Sequence, residues 1–547
     1  MNMDIESKLY VTRKTVSVFT LLTILLVSSP SSIFSDVSLF ALGASNQGVS
    51  NETELKNAVN NAVGSTTIVL DKDIQLTATL IISANKDITL TSNSKSEFFK
   101  LIGPNEQSTI TVNNDGVLKL DGIIITHVVS SIGSGVTVDS GGTLIMNSGE
   151  ISGNSGNDGT LIHSFSGVGV CNMGDFMLYG GVISNNMFGW FGSVLNLGNF
   201  TMFGGEISGN DAGYGSGVYN RANGIFNMTG GEISDNNAYW FGGGVYNEAT
   251  FVMSGGKISG NTVANGHSGG VYNWGDFSLY GGEITNNIAW DGGGVGNYGV
   301  FIMSGGVLSG NTASNNGGGV VNGQTISQAN FQMAGGVISN NTAIKGGGVY
   351  HFFWSSFSLS DGVISNNTAE IGGGVCMDND FTMSGGEISG NIASNNGGGV
   401  YLGNGVFKLS GGKISKNTAA YNGGGVWVDT EKLDLLFVSN GVVFSNNRAS
   451  VAYDRDSTHD SVYSSQIGNR VTWTTPFTQG YNNYDISYTS GTQVTVTDDG
   501  TSCSDNSSSG IEGYFVFIVV SLVLVVGIIV GCLFLYFRRH KNYLKHV

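Results

Sequence analysis

Proline is scarce in this chain, and the few prolines avoid its repeated middle region. The 547 residues include 3 prolines, Pro30, Pro104 and Pro476, against 86 glycines. Proline lacks the backbone N–H that a central strand donates, so its absence from residues 144–447 leaves that region free to form continuous sheets. The same ratio excludes a collagen-like triple helix and a proline-rich linker.

Cysteine is also scarce. The 4 cysteines include Cys171 and Cys376, which stand at the same position of two repeat units that lie eight units apart. At the ~4.8 Å spacing of paired strands they would be separated by roughly 38 Å. A disulfide needs Cα atoms within about 7 Å, so the sequence excludes a bridge between these two residues and predicts free thiols.

Basic residues are few relative to acidic ones. The chain has 23 Lys and Arg against 40 Asp and Glu, a formal net charge of −17. Nucleic-acid binding is therefore not expected, because phosphate recognition requires basic patches. Solubility outside a cell, or a loose association with Ca²⁺, fits this charge better. The 7 histidines show no metal-ligand spacing, so no metal site and no cofactor are predicted.

Helical periodicity is missing from the middle of the chain, where a different repeat is present. No copy of this repeat places apolar residues at i, i+3, i+4 and i+7. Each copy instead carries a Gly-Gly pair or its counterpart, as in Phe251–Asn261 and Phe381–Asn391. The second glycine or its counterpart falls at 149, 181, 205, 231, 256, 282, 306, 336, 362, 386, 412 and 441. A fixed period of this size is typical of a solenoid.

Positions counted from that second glycine, position 0, repeat with the parity of short strands. Position −5 is Phe in ten copies, position −3 is Met or Leu until Val438 in the last, and position +2 is aliphatic, ending with Val443. Position +5 is Asn in all twelve copies, from Asn154 to Asn446. This parity, broken by a glycine corner, predicts strands. The repeated Asn predicts amide ladders between stacked turns.

The predicted fold class is all-β, a single-stranded parallel β-helix with an N-terminal capping helix and a C-terminal transmembrane helix. Each turn is expected to hold three strands, carrying Phe-x-Met, Ile-Ser-Gly-Asn and Val-Tyr-Asn. Right-handed winding is expected because parallel crossovers are overwhelmingly right-handed. The capping helix is predicted over residues 50–63, with Asn51 and Glu54 as its start signal.

The prediction divides the chain into seven segments. They are 1–44, a signal peptide whose cleavage point the sequence does not fix; 45–143, the capping helix and irregular first coils; 144–447, regular β-helix repeats; 448–497, a β-rich C-terminal cap; 498–513, a stalk; 514–537, a transmembrane helix; and 538–547, a basic cytoplasmic tail. As a helix, residues 514–537 would reach about 36 Å, enough to cross a ~30 Å hydrocarbon core. The tail contains Arg538, Arg539 and Lys541, so the positive-inside rule predicts that the repeats lie outside the cell membrane.

The repeats resemble those of polymorphic outer membrane proteins and of adhesin-like surface proteins of methanogenic archaea. The resemblance rests on Gly-Val-Tyr, as at Gly244–Tyr246 and Gly270–Tyr272, and on Ile-x-x-Asn, as at Ile258–Asn261. The start of the repeat region, residues 50–90, resembles pectate-lyase-like β-helix proteins. These resemblances imply a right-handed parallel β-helix, display at a cell surface, and adhesion.

Aromatic residues break the uniformity of the repeat at one corner. Four or five residues before the repeated valine stand Trp190, Tyr214, Trp240 with Phe241, and Trp290. Such a row of rings on neighbouring turns could stack against sugar faces or a partner surface, and these residues form the predicted ligand-binding site. The alternative is that the rings pack on one another and brace the corner.

The function predicted from the sequence is that of a membrane-anchored, adhesin-like surface protein that binds a glycan or a cell-surface protein. The alternative is a polysaccharide-binding or polysaccharide-degrading enzyme of the same fold. Glycoside hydrolysis needs clustered carboxylates, and glutamate does recur at position +1. It does so at Glu150, Glu206, Glu232, Glu283 and Glu387. Because Val or Lys replaces it in other copies, no catalytic residue is predicted.

Overall fold

A computed structural model describes most of the repeat region. The described residues are 47–94, 97–128, 132–156, 169–187, 189–264, 266–323, 328–429, 432, 435–439, 442–449 and 484–487. The predicted signal peptide (1–44), stalk (498–513), transmembrane helix (514–537) and tail (538–547) lie outside them, as does most of the predicted C-terminal cap (448–497). No helix among the described residues combines the length and apolar character that crossing a bilayer requires.

The described region is a parallel β-solenoid of about 14 turns, as the repeat predicts. Each regular turn holds the three predicted strands, and each strand pairs in parallel with its counterparts in the neighbouring turns. The three resulting stacks are named here the Phe column, the Ile column and the Val sheet. The Phe and Ile columns belong to one 29-stranded sheet, because two strands, Asn330–Ser339 and Ser356–Ser365, run through the corner between them.

The Phe column also comprises Gln47–Val49, Ser65–Leu70, Asp87–Ser92, Val117–Asp121, Thr143–Met146, Asp175–Leu178, Asn199–Met202, Ile225–Met228, Thr250–Met253, Asp276–Leu279, Val300–Met303, Phe381–Met383, Phe407–Leu409 and Leu436–Val438. The Ile column also comprises Ile74–Gln75, Lys100–Gly103, Ile124–His127, Glu150–Ser152, Val182–Ser184, Glu206–Ser208, Glu232–Ser234, Lys257–Ser259, Glu283–Thr285, Val307–Ser309, Glu387–Ser389, Gly412–Ser415 and Val442–Ser445.

The Val sheet has 14 strands, one in each turn. They are Leu80–Ile82, Ile110–Val112, Val136–Val138, Val170–Asn172, Val194–Asn196, Val218–Asn220, Val245–Asn247, Val271–Asn273, Val295–Asn297, Val320–Asn322, Val349–His351, Val375–Met377, Val400–Leu402 and Val426–Val428.

A fourth strand, which the sequence did not predict, lies at the corner before the Val sheet. In six turns it forms a corner sheet of Gly189–Phe191, Asp211–Tyr214, Asn237–Phe241, Thr262–Val263, Ile288–Asp291 and Thr312–Asn316. In three later turns it is cut to two residues each, at Thr368–Ala369, Ile392–Ala393 and Thr418–Ala419.

Stacked apolar side chains fill the interior. The ten phenylalanines at position −5 are buried, and successive rings lie 4.4–4.8 Å apart with their planes within 2–9° of parallel. Such offset stacks contribute about 0.5–1.5 kcal/mol per pair beyond the burial of apolar area. The predicted Phe column is therefore confirmed as the centre of one continuous core.

The corner glycines follow from backbone conformation. Position 0 has a positive φ in every turn from Gly149 to Gly412. At Gly256, a Cβ would lie 2.7 Å from Met228 Cε and 2.8 Å from the Gly230 carbonyl oxygen. Position +4 is also left-handed, with φ of 64° at Gly260 and 53° at Asn185. Because Gly and Asn adopt this conformation most readily, one of them occupies position +4 in most turns, and Asp235 and Lys416 are the exceptions.

The predicted asparagine ladder is confirmed, and it has a direction. From Asn154 to Asn417, each Asn donates its Nδ2 to the Oδ1 of the Asn in the following turn at 2.8–3.1 Å. His127 Nδ1 lies 2.8 Å from Asn154 Oδ1 at the start. At the other end, Asn447 Nδ2 donates to Asp485 Oδ1 at 2.8 Å. The column therefore begins at a donor and ends at an acceptor.

The last regular turn corrects the sequence alignment. Position +2 was assigned to Val443 and position +5 to Asn446. In the structure Ile414 pairs with Phe444, and the ladder passes to Asn447. Val443 is 45% exposed. One extra residue between the two strands of this turn shifts the register, and a shift of one residue reverses which side chains face the core.

A helix precedes the first full turns. It spans Glu52–Asn61, and Asn51 Oδ1 accepts the Glu54 backbone N–H at 3.0 Å, so the predicted start signal is confirmed. Leu55 and Val59 are buried and belong to the same core cluster as the solenoid interior. The helix ends at Asn61 rather than at 63.

Candidate functional site

The outer face of the Val sheet carries aromatic residues in the described turns around 171–298. In each Val-x-Asn strand the valine enters the core, so the middle residue points to the outer face. Those middle residues form a second apolar cluster of Cys171, Leu195, Tyr219, Tyr246 and Tyr272, extended by Tyr298. Tyr246 and Tyr272 stack with their ring centroids 4.8 Å apart. This row is named here the tyrosine ladder.

The corner sheet covers the tyrosine ladder. Phe191, Tyr214 and Phe241 occupy one register position on three successive turns. The Phe241 ring lies 4.7 Å from Tyr272, and the Tyr214 ring meets Tyr246 edge-on at 5.8 Å. The structure thus assigns the predicted site residues Tyr214 and Phe241 to packing against the ladder.

Of the tryptophans beside them, Trp190 is 38% exposed, whereas Trp240 is half-buried and its ring also lies 5.1 Å from that of Tyr214. Trp190 and Trp240 stack with centroids 5.1 Å apart and planes 25° from parallel, although a turn lies between them. Gly213 makes this contact feasible, because a Cβ there would lie 2.5 Å from the Trp240 ring. Tyr239, which the sequence did not single out, meets Trp240 edge-on at 4.9 Å and is 68% exposed.

Trp290 stands apart from this group. It is 50% exposed on the strand Ile288–Asp291, and Ala289, not Trp290, packs with Ala238 in the corner. The strand Ile288–Asp291 is one residue shorter than Asn237–Phe241, so Trp290 alone takes the place of both Tyr239 and Trp240, two turns earlier. The structure brings together four of the five predicted residues and leaves Trp290 as a separate exposed ring. Trp190, Tyr239 and Trp240 are named here the aromatic corner.

Near the other end of the Val sheet the same outer face opens onto a cavity, although Tyr350 and Cys376 themselves are buried. Its middle residues there are Tyr350, Cys376, Tyr401 and Trp427. A cavity of about 230 Å³ lies against them. Its lining comprises Lys345, Ile371, Cys376, Asp378, Tyr401, Gly403, Asn404, Trp427, Asp429 and Lys432. No pattern in the sequence predicts this cavity, because no single repeat position marks one.

Polar contacts fix the rim of this cavity. Asp378 Oδ2 accepts the Tyr350 hydroxyl at 2.6 Å, and its Oδ1 accepts Asn404 Nδ2 at 3.3 Å. Lys432 Nζ donates to Asn404 Oδ1 at 3.0 Å. Burial, with Cys376 and Asp378 nearby, raises the pKa of Tyr401 to about 12, so its hydroxyl stays protonated at neutral pH.

A shallow groove of about 490 Å³ lies elsewhere, at the corner between the Phe and Ile columns. Glycines form its floor, and Glu206 and Glu232 lie side by side on neighbouring turns. The Ser259 hydroxyl and then the Lys257 ammonium hold the pKa of Glu232 below its ordinary value, although partial burial opposes them. Among the described residues, no group of three or more His, Cys, Asp or Glu is arranged to hold a metal ion.

No protein family, curated protein or solved structure matches this chain. Function is therefore inferred from the geometry of the Val sheet and its corner. The strongest feature is a set of outward rings held in place by inward rings on the same strands. Large, rigid aromatic side chains of this kind dominate many recognition surfaces, because they bury much area at little cost in side-chain entropy.

Proposed function

We propose that this protein is an adhesin-like surface protein whose aromatic corner binds an extracellular glycan or a partner's surface. The observation that carries the proposal is the stack of Trp190 on Trp240, with Tyr239 edge-on beside it. Tyr214, on the strand between them, and Phe241, next to Trp240, pack against the tyrosine ladder. A preformed surface loses little freedom on binding, so most of its contact energy remains available for affinity.

The test replaces the outward tryptophans together. The variant Trp190→Ala, Trp240→Ala, Trp290→Ala is expected to abolish binding of the full-length protein to a glycan array and to partner cells. Thermal stability should stay near normal, because these rings lie outside the core. The matched control is Tyr179→Ala, Phe203→Ala, Tyr280→Ala, which removes three exposed rings beside the corner of the Phe column. The proposal is contradicted if the first variant binds as well as the wild type, or if the control variant loses binding to the same extent as the first.

The proposal includes the layout of the chain in the membrane. Residues 1–44 would direct export, the helix Glu52–Asn61 would close the first turn of a right-handed solenoid, and residues 514–537 would anchor it with the tail 538–547 in the cytoplasm. An epitope tag at the C-terminus should resist protease added to intact cells, while the repeat region remains accessible to antibody. A C-terminal tag that is cleaved on intact cells would contradict this orientation.

The rival function is that of a polysaccharide-degrading enzyme with its site in the groove. The adjacent carboxylates of Glu206 and Glu232 are the observation that favours it, because glycoside hydrolysis uses paired carboxylates. An enzyme should release reducing ends or unsaturated products from a polysaccharide panel, and the variant Glu206→Gln, Glu232→Gln should lose that release. If no product forms from any polysaccharide, the adhesin proposal is favoured.

A further inference from the structure

The cavity at the open end of the Val sheet differs in construction from the aromatic corner. The register column that carries Phe191, Tyr214 and Phe241 continues through His267, Asp291 and Asn316 to Lys345 and Ile371, which line the cavity. At the level of the cavity, therefore, this column carries no ring. A polar and aliphatic edge replaces the aromatic cover.

Small residues create the space inside. Cys376 stands between Tyr350 and Tyr401 in the row of middle residues. Two turns separate those tyrosines, roughly 10 Å at the spacing of paired strands, and a thiol fills little of that interval. Gly403 is the second small residue, since a Cβ there would lie 2.4 Å from Asp378 Oδ1. Within the part of the chain that the structure describes, Tyr401 stacks on Trp427 and meets no ring on the side that faces Cys376.

The chemistry of the lining is mixed and balanced. Tyr401 and Trp427 stack at 4.2 Å with planes 9° from parallel, which makes a rigid flat wall. Two lysines face two aspartates in the lining, so neither sign of charge dominates. Ammonium and amide groups donate hydrogen bonds, and carboxylates accept them. A ligand whose hydroxyls both donate and accept, and whose ring has an apolar face, matches this lining.

We propose that this cavity binds a single neutral sugar residue, with its apolar face on Tyr401 and its hydroxyls on Asp378, Asn404 and Lys432. The volume of about 230 Å³ suits one such unit, because pockets for drug-sized ligands start at about 300 Å³. Asp378 and Asn404 are already oriented by each other and by Tyr350. The site is separate from the aromatic corner and does not depend on it.

The experiment measures saturation-transfer difference NMR on the full-length protein in detergent with glucose, galactose, mannose and N-acetylglucosamine. At least one sugar should receive saturation. The variant Cys376→Tyr should reduce the signal at least tenfold, because it extends the row of rings through the cavity. It should still fold, since tyrosine already stands at the equivalent positions Tyr350 and Tyr401. Cys376→Ser, which keeps the small volume, is the matched control and should retain binding.

A second variant tests the contribution of the aromatic wall separately from that of the cavity volume. Tyr401→Ala should lose binding at least tenfold while the circular dichroism of the sheets is unchanged. Trp190→Ala, Trp240→Ala, Trp290→Ala should leave sugar binding at the cavity unaltered, so failure of one site is distinguishable from failure of the other. The proposal is overturned if no sugar receives saturation, or if transfer survives Cys376→Tyr in a chain that also carries Trp190→Ala, Trp240→Ala, Trp290→Ala.

Discussion

The outer face of the Val sheet is built in two ways along one chain. Around Tyr246 it is covered, because the corner strand is long enough to bring Tyr214 and Phe241 over the tyrosine ladder. Around Tyr401 it opens onto a cavity, because the corner column there carries Lys345 and Ile371 in place of rings. The Phe stack beneath runs through both regions, so the outer face differs in which side chains the corner supplies, Phe241 over Tyr272 but Lys345 and Ile371 beside the cavity.

The inner face of the Val sheet changes at the same place. In the covered region its third residue is Asn, and Asn172 to Asn322 form a second amide ladder with Nδ2–Oδ1 distances of 2.7–2.8 Å. In the open region the equivalent residues are Met377, Leu402 and Val428, which join the core. His351 stands at the junction and accepts Asn322 Nδ2 at 3.1 Å.

The largest expected effect is the loss of stability when one Asn of the first ladder is removed in each region. Equal losses would mean that the two regions do not differ at this ladder. Asn261→Ala and Asn391→Ala each remove the acceptor for two donors of the preceding ladder Asn, its backbone N–H and one of its two side-chain N–H groups. At roughly 1–3 kcal/mol for each unsatisfied buried donor, each variant should lower the free energy of unfolding by about 4 kcal/mol. Hydrogen-exchange opening free energies would measure this. Clearly unequal costs would mean that the two regions also differ in the core.

The next largest expected effect is a dependence of stability on pH, which arises from His351 at the junction of the two regions. Burial lowers the pKa of His351 to about 4, with the Asp380 carbonyl opposing. The folded state holds it neutral, so stability is fully present above the unfolded pKa of about 6.5 and falls as the pH drops toward 4, by up to about 3 kcal/mol. His351→Asn should remove that loss. The prediction is contradicted if the free energies of unfolding of the wild type and of His351→Asn differ by the same amount at pH 7 and at pH 4.

Truncating one tyrosine in each region sharpens the comparison directly. Tyr246 contacts Tyr214, Tyr219 and Tyr272, so Tyr246→Ala should leave a closed void and cost about 3 kcal/mol. Tyr401 already borders a cavity, and Tyr401→Ala should cost about 1 kcal/mol. Denaturation followed by fluorescence, with hydrogen exchange near each site, would test the ranking. If Tyr401→Ala costs more stability than Tyr246→Ala, contacts other than those of the corner strand stabilise the open region.

The smallest effect separates inward from outward rings within the covered region. Phe241→Ala removes a ring that packs on Tyr272 and should cost about 2 kcal/mol. Tyr239→Ala removes an exposed ring and should change stability by less than about 0.5 kcal/mol. If Tyr239 belongs to the binding surface, its removal should weaken partner binding, as measured on the full-length protein, while thermal stability is retained.

Much of the fold was predictable because each ladder repeats one residue at one position. The Phe column, the Ile column and the first Asn ladder follow from that rule, and the structure places Phe251 and Asn261 as the repeat predicts. The last turn was misaligned because one added residue before Phe444 leaves an aliphatic residue, Val443, at the expected position. Local spacing alone does not decide between two apolar neighbours.

The candidate sites were only partly predictable. The aromatic corner stood out in composition, but the roles of Phe241 and Trp240 depend on which ring meets Tyr272, a residue of the next turn. The corner strand has two to five residues and no fixed sequence, so no period reveals it. The cavity beside Tyr401 arises where Lys345 and Ile371 replace the rings of the corner column, and that depends on the register between turns rather than on a repeated residue.

The direction of the first asparagine ladder has a consequence for how such a protein can change in size. Every internal Asn is interchangeable with its neighbours, whereas His127 and Asp485 at the two ends are not. Burial raises the pKa of the Asp485 carboxyl. Duplication or loss of a whole turn between the ends leaves every donor facing an acceptor. Gene-level copying of repeats can therefore lengthen or shorten the molecule without any new terminus having to evolve.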